Sequence, residues 1–220
     1  MVKNIVVCSA GTGQSLARKP WDNIGKIFTA CDKDASKQIV MYDTGIGFTE
    51  PYDLTLDTIA RNSGSGFALN VEQLYSFICA NYVHGDRIFM FGFSRGAYTV
   101  RAVNGLIALM GIKTIAQDPL ECHKIVEVYY TVPSKRAALA NYTYVQGLPT
   151  VPTRVHFIGV FDTVAMLGLP GTRTNPAIVG FYDSTSAGAD YIYHALALDE
   201  YRWNFAPTIF TEKDALVKEM

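Results

Sequence analysis

The chain has 220 residues, 49% of them apolar and 18% charged, with a formal net charge of −1. Such a length and apolar fraction suit one domain with a sizeable core, and so small a charge gives no long-range field to gather nucleic acid or an anionic membrane. No run approaches the ~18 apolar residues of a membrane span, and Ile5 to Cys8 is too brief for a signal peptide, so the expectation is a protein made in the cytosol whose export would need a leaderless route.

Lys3 to Cys8 reads as a buried strand that runs into Ser9-Ala10-Gly11-Thr12-Gly13. A strand followed by a glycine loop can cradle phosphate, but no Gly-Lys-Ser/Thr follows and a third glycine is missing. The alternative is a loop whose backbone amides serve an oxyanion hole, with Ala10 and Gly11 as donors; a plain tight turn also fits. Residues 14 to 36 are mixed, with a short helix expected over 21–30. Gln38 to Tyr42 is a second strand, closing on Asp43-Thr44-Gly45-Ile46-Gly47. Residues 48–69 read as loop, with Asn62 to Gly66 the most flexible spot. An amphipathic helix is expected from Asn70 as N-cap, carrying Val71, Leu74, Tyr75, Ile78 and Tyr82 on one face.

Arg87 to Phe91 forms a short apolar strand, and 97–110 has helical spacing; between them lies Gly92-Phe93-Ser94-Arg95-Gly96. A Gly-x-Ser-x-Gly match arises by chance in about one chain of this length in fifteen, so the flanking strand and helix carry the inference. In such a turn the serine is held at positive φ and the glycines on either side let the backbones pass. Ser94 is therefore the candidate nucleophile, and the Arg95 amide, at a helix N-terminus, a candidate oxyanion donor.

A further helix is expected over 119–130, with His123 structural or exposed, and 142–152 is turn-rich. Val155 to Phe161 is a buried strand holding His156 as a core or sheet-edge residue, and it ends at Asp162. A carboxylate at a strand end after the nucleophile sits where the acid of a Ser-Asp-His order belongs; a helix cap is the alternative. Residues 166–189, rich in Gly, Pro, Thr and Ser, suggest a flap or lid over the site. Tyr191 to Glu200 has a helical pattern. It contains His194, which follows Ser94 and Asp162 in the order needed for a catalytic base and equally suits a structural role.

The sum is an α/β fold: an open, mainly parallel sheet with helices on both faces, its strands ending in loops that carry Gly11, Asp43, Ser94 and Asp162. Thr12, Asp43 and Phe93 are expected to line the substrate crevice. Asp43 and Asp162 could supply oxygen to a cation, but no spacing demands a metal and no cofactor is expected. The four cysteines, Cys8, Cys31, Cys79 and Cys122, show neither paired nor metal-ligand spacing and are expected as free, mostly buried thiols.

Lys3 to Ser9 with Gly11-Thr12-Gly13, Tyr42 to Gly47, Gly92 to Ala97 running on to Arg101, Phe157 to Val164, and His194 to Arg202 together resemble the DUF2235 α/β-hydrolase domain family. That family includes Tle1-like phospholipase effectors of type VI secretion. The resemblance implies an α/β-hydrolase fold, a lipid or other ester as substrate, Ser94 as nucleophile and Asp162 as acid, and it adds a membrane surface and an immunity or secretion partner as prospective partners. The chain departs from the pattern in two places. Ala10 stands where the family has the aspartate of an Asp-Gly-Thr triplet, and the chain reaches Met220 before the family's downstream Gly-x-His-Ser-Asp-x-Gly-Gly block. A C-terminally incomplete domain, or a member that binds without catalysing, is the alternative expectation.

Overall fold

A computed structural model describes residues 2–17, 19–45, 65–131, 145, 147–164, 188–202, 207–210 and 216–219. The apolar runs become strands β1 (Asn4–Ser9), β2 (Gln38–Asp43), β3 (Arg87–Phe93) and β6 (Val155–Phe161). Two more strands, β7 (Ala189–Ala195) and β8 (Leu216–Glu219), complete a six-stranded sheet in the order β2-β1-β3-β6-β7-β8. Every pairing in it is parallel. A separate antiparallel pair joins β4 (Ile112–Lys113) to β5 (Thr150–Val151).

Parallel strands need crossovers, and these place helices on both faces. Helices α2 (Ser65–Asn81), α3 (Arg95–Met110) and α4 (Pro119–Thr131) pack on one side. There Ile5, Val7, Ile88, Met90, Ile158 and Ile192 of the strands meet Leu74, Ile78, Val103 and Leu106 of the helices in one core. Helix α1 (Asn23–Ala30) covers part of the other side, where Val6 and Cys8 meet Ile24, Ile27 and Phe28. The alternation along β1 between the two cores follows from the two-residue period of a strand. It also explains why that strand is apolar at successive positions: both its faces are covered. Beyond α1 the second face is aromatic, with Phe91 against Phe157 at 5.7 Å and Phe157 against Tyr193 at 5.4 Å. Residues Cys8, Cys79 and Cys122 are buried free thiols and Cys31 is half-buried; burial pushes Cys8, Cys79 and Cys122 up to about 12.

The connection from β1 runs outward to β2, whereas the chain from β3 proceeds the opposite way across the sheet to β6 and β7. The loops after β1 and β3 thus leave toward opposite faces, and the crevice of a doubly wound sheet opens where they part. Ala10 to Gly13 and Ser94 flank that switch point. The architecture is the α/β-hydrolase-like one expected.

Two local expectations are corrected. Residues 189–195 are strand, not helix, with His194 paired to Val160 and Glu219 in register; the β-forming Tyr191-Ile192-Tyr193 prevails over the Ala-Leu repeat after it. Helix α2 starts at Ser65, so Asn70 lies inside it rather than at its cap. The charged C-terminal stretch supplies edge strand β8, a position that tolerates charge. Of the expected flexible spot at 62–66, residues 65 and 66 open α2 instead, as do 67–69 of the expected loop, while 62–64 and nearly all of the expected flap at 166–189 lie outside the described residues; Gly188 is in a turn and Ala189 opens β7. Among the described residues no helix is long and apolar enough to cross a membrane.

Candidate active site

Strand β3 ends at Phe93 and α3 begins at Arg95, so Ser94 alone makes the turn, at φ 54 and ψ −120. A serine before a helix usually caps it with its hydroxyl. This one makes no capping hydrogen bond, and its positive φ lies outside the extended backbone that a capping residue adopts. The flanking glycines make the turn possible. A Cβ on Gly92 would come within 2.6 Å of the Ala97 Cα and the Gly96 oxygen, and one on Gly96 would strike the carbonyl oxygens of Ser9 and Ala10. The Arg95 amide opens α3, where N–H groups point out of the helix and favour negative charge. The Arg95 side chain donates from Nε to the Thr12 hydroxyl.

Asp162 follows β6, the neighbour of β3. Its φ is 45, and among the described residues Ser94 and Asp162 are the non-glycine positions with positive φ. The two turns are fastened together. Ser94 N–H donates to the Phe161 carbonyl at 2.9 Å, and the Ser94 carbonyl accepts from Val164 N–H at 3.3 Å. The Asp162 amide donates to the Ala195 carbonyl at 2.7 Å, and its Oδ1 accepts from Ala197 N–H at 3.3 Å.

His194 is fully buried on β7, and its Nε2 accepts from the Thr163 amide at 3.2 Å. That bond requires the ring proton on Nδ1. The other histidines lie elsewhere: His84 precedes β3 and His156 is the second residue of β6, both toward the end of the strands opposite Ser94, while His123 is exposed on α4 against Glu72 at 2.8 Å.

The loop after β1 is held by its neighbours. The Ala10 amide donates to the Asp43 carbonyl at 3.0 Å, and the Gly11 amide to Asp22 Oδ2 at 3.3 Å. The Phe93 ring packs against Gly11, where an added Cβ would collide with it. The Asp43 carboxylate is buried, accepting from Ser9 Oγ at 2.6 Å and Asn70 Nδ2 at 2.9 Å. Burial pushes its carboxyl up to about 7, against the opposing pull of those two hydrogen bonds. Asp43 therefore ties β1, β2 and α2 together beneath the loop. Among the described residues no group of three or more His, Cys, Asp and Glu is placed to hold a metal ion.

The structure thus brings Ser94, Arg95, Thr12, Phe93, Gly11 and Asp162 to one edge of the sheet. It sets Ala10 and Asp43 into the hydrogen bonding that supports that edge. Sequence reading missed Asp22, Asn70 and Thr163 as supports. The signal for Asp22 was its place before an apolar helical run, where it also caps α1 by accepting from Gly25 N–H at 2.7 Å.

Comparison with known proteins places the chain in a family. The chain is 29% identical over 229 aligned residues to the "Uncharacterized protein YEL023C" of Saccharomyces cerevisiae, covering 95% of this chain and 33% of that protein; it spans about a third of that relative's length. The model of the family described as "T6SS, Phospholipase effector Tle1-like, catalytic domain" matches residues 3–219. A match over nearly the whole chain shows that the protein belongs to the Tle1-like phospholipase effector catalytic-domain family.

Proposed function

We propose that the chain is a serine hydrolase acting on a carboxylic ester, most naturally a lipid or phospholipid, with Ser94 as its nucleophile. The observation that carries this is the pair of positive-φ residues, Ser94 and Asp162, held side by side at the switch-point edge of the sheet. Strained backbone of this kind persists where the surroundings impose it and gathers at functional sites. In the reaction, Ser94 Oγ attacks the ester carbonyl and loses its proton to a base. The Arg95 amide stabilises the oxyanion, the base gives its proton to the departing oxygen so that it leaves as the alcohol, and water hydrolyses the acyl-serine by the same proton transfers in turn. Asp162 supplies the negative charge that orients and stabilises the protonated base.

A lipid substrate is supported by the family's phospholipase description and by the loop that touches Asp162. That loop presents Leu198 and Tyr201, 95% and 86% exposed, as apolar surface beside the site. Localisation and partners are proposed on the same reading: a lipid surface as the place of action, with secretion or immunity proteins as partners by analogy with the family's context alone.

A second reading, a member that binds a ligand in the same crevice without catalysing, draws on His194, whose Nε2 is engaged by Thr163 rather than by Ser94. Fluorophosphonate labelling separates the two, because the probe reacts only with an activated serine. The first reading expects labelling of the folded parent and its loss in Ser94→Ala. A folded parent that stays unlabelled favours the binding reading.

A further inference from the structure

Two turns beyond Ser94, α3 carries an arginine that is fully buried. Arg101 donates from Nη1 to the Thr208 carbonyl and from Nη2 to the Ile209 carbonyl at 3.3 Å, and its guanidinium lies 3.8 Å from the centroid of the Phe210 ring. A guanidinium keeps its charge in a core, and burying it is costly unless its donors are met. What it grips is therefore informative. The gripped segment turns back to the site: Thr208 N–H donates to the Thr163 carbonyl at 2.8 Å. Thr163 follows Asp162, and its own N–H donates to His194 Nε2. The His194 ring meets Phe210 edge-on at 5.9 Å. Thr163 is thus held through its carbonyl by the Arg101 side and through its amide by His194, with Phe210 between the two.

We propose that Arg101 and His194 are positioning residues that fix Asp162 beside Ser94, Arg101 acting through the backbone of 208–209 and His194 through the Thr163 amide. This rests on the reading of Ser94 and Asp162 as the reacting pair. It gives Arg101 a task that neither core packing nor substrate contact requires. It also makes His194 a neutral hydrogen-bond acceptor, a role that glutamine reproduces because its Oε1 can take the place of Nε2, whereas glutamine cannot act as a base.

The test combines turnover of a soluble p-nitrophenyl ester with amide hydrogen exchange at Thr163 and Thr208, in the parent and in Arg101→Met, His194→Ala and His194→Gln. Arg101→Met is expected to lower kcat about 10–100-fold while KM changes less than ~2-fold, the signature of misplaced rather than unbound substrate, and to speed exchange at both amides. His194→Gln is expected to recover most of the kcat lost in His194→Ala. If Arg101→Met fails to fold, Arg101→Lys, which keeps the charge but cannot span both carbonyls, carries the same expectation.

His194→Gln as inactive as His194→Ala, with exchange at Thr163 still protected, would overturn the positioning role and make His194 the base. Unchanged exchange at Thr163 in both Arg101→Met and His194→Ala would overturn the grip itself, whatever the activity. A folded parent that turns over no ester overturns the hydrolase reading, and with it the catalytic sense of this one; the exchange comparison keeps that failure distinct from failure of the grip.

Discussion

A methyl group on Gly96 would land on the carbonyl oxygens of Ser9 and Ala10, which are backbone and cannot swing aside as a side chain could. The first turn of α3 sits that close to the loop after β1, and the closeness sets where the Arg95 amide lies. Gly96→Ala is expected to lose about 1–3 kcal/mol of stability, the usual range for overpacking, with fluorophosphonate labelling lost at temperatures where the variant is still folded. Urea titration and labelling of the same sample check both; a variant as stable and as reactive as the parent would mean that the loop yields. Asp43 gives a second expectation at this scale. Its carboxyl rises from 3.8 to about 7 on folding because burial outweighs the hydrogen bonds from Ser9 and Asn70. The folded state therefore holds a proton that the unfolded state has released between those values, so stability falls as pH rises from ~4 toward ~7. Asp43→Asn, neutral throughout, is expected to lose that slope in thermal melts across the same range. Equal slopes in parent and variant would mean that Asp43 stays ionised in the fold.

At the scale of elements, the strands readable from sequence were those whose two faces are both covered. Ile5-Val6-Val7-Cys8 and Ile158-Gly159-Val160 are unbroken runs of small or apolar residues because helices or aromatic rings meet them on each side. Strand β7 was misread because it is asymmetric: Ile192 and His194 are buried while Tyr191 is 43% exposed, and its Ala-Leu continuation imitates a helix. Its strand character comes from parallel partners distant in the chain, β6 and β8, which no local window contains. The same limit applied at the site. Ser94 and Asp162 were visible as polar residues at strand ends. The reach of Arg101 to Thr208 and the capture of the Gly11 amide by Asp22 are contacts between segments whose meeting only the fold decides. Arg101 did leave one local trace, a charge within the otherwise apolar series Val100, Ala102, Val103.

For the whole molecule, the sheet order predicts a gradient of stability. Strands β1, β3, β6 and β7 have neighbours on both sides, whereas β2 and β8 are edges. Global hydrogen exchange is expected to be slowest in the first four and faster in the two edges, because edge amides open without disturbing the core; mass-spectrometric exchange would show it, and uniform rates across the sheet would contradict it. The same order has a bearing on how the domain tolerates change. The spacing between Ser94 and Asp162 is fixed by the two backbone hydrogen bonds that join residue 94 to the turn at 161–164, and the length of chain running between them through α3, α4 and β5 does not enter into it. Insertions and deletions along that excursion can accumulate, reshaping what approaches the crevice, while Ser94 and Asp162 keep one geometry. Substrate range and reactive geometry are thus free to diverge separately.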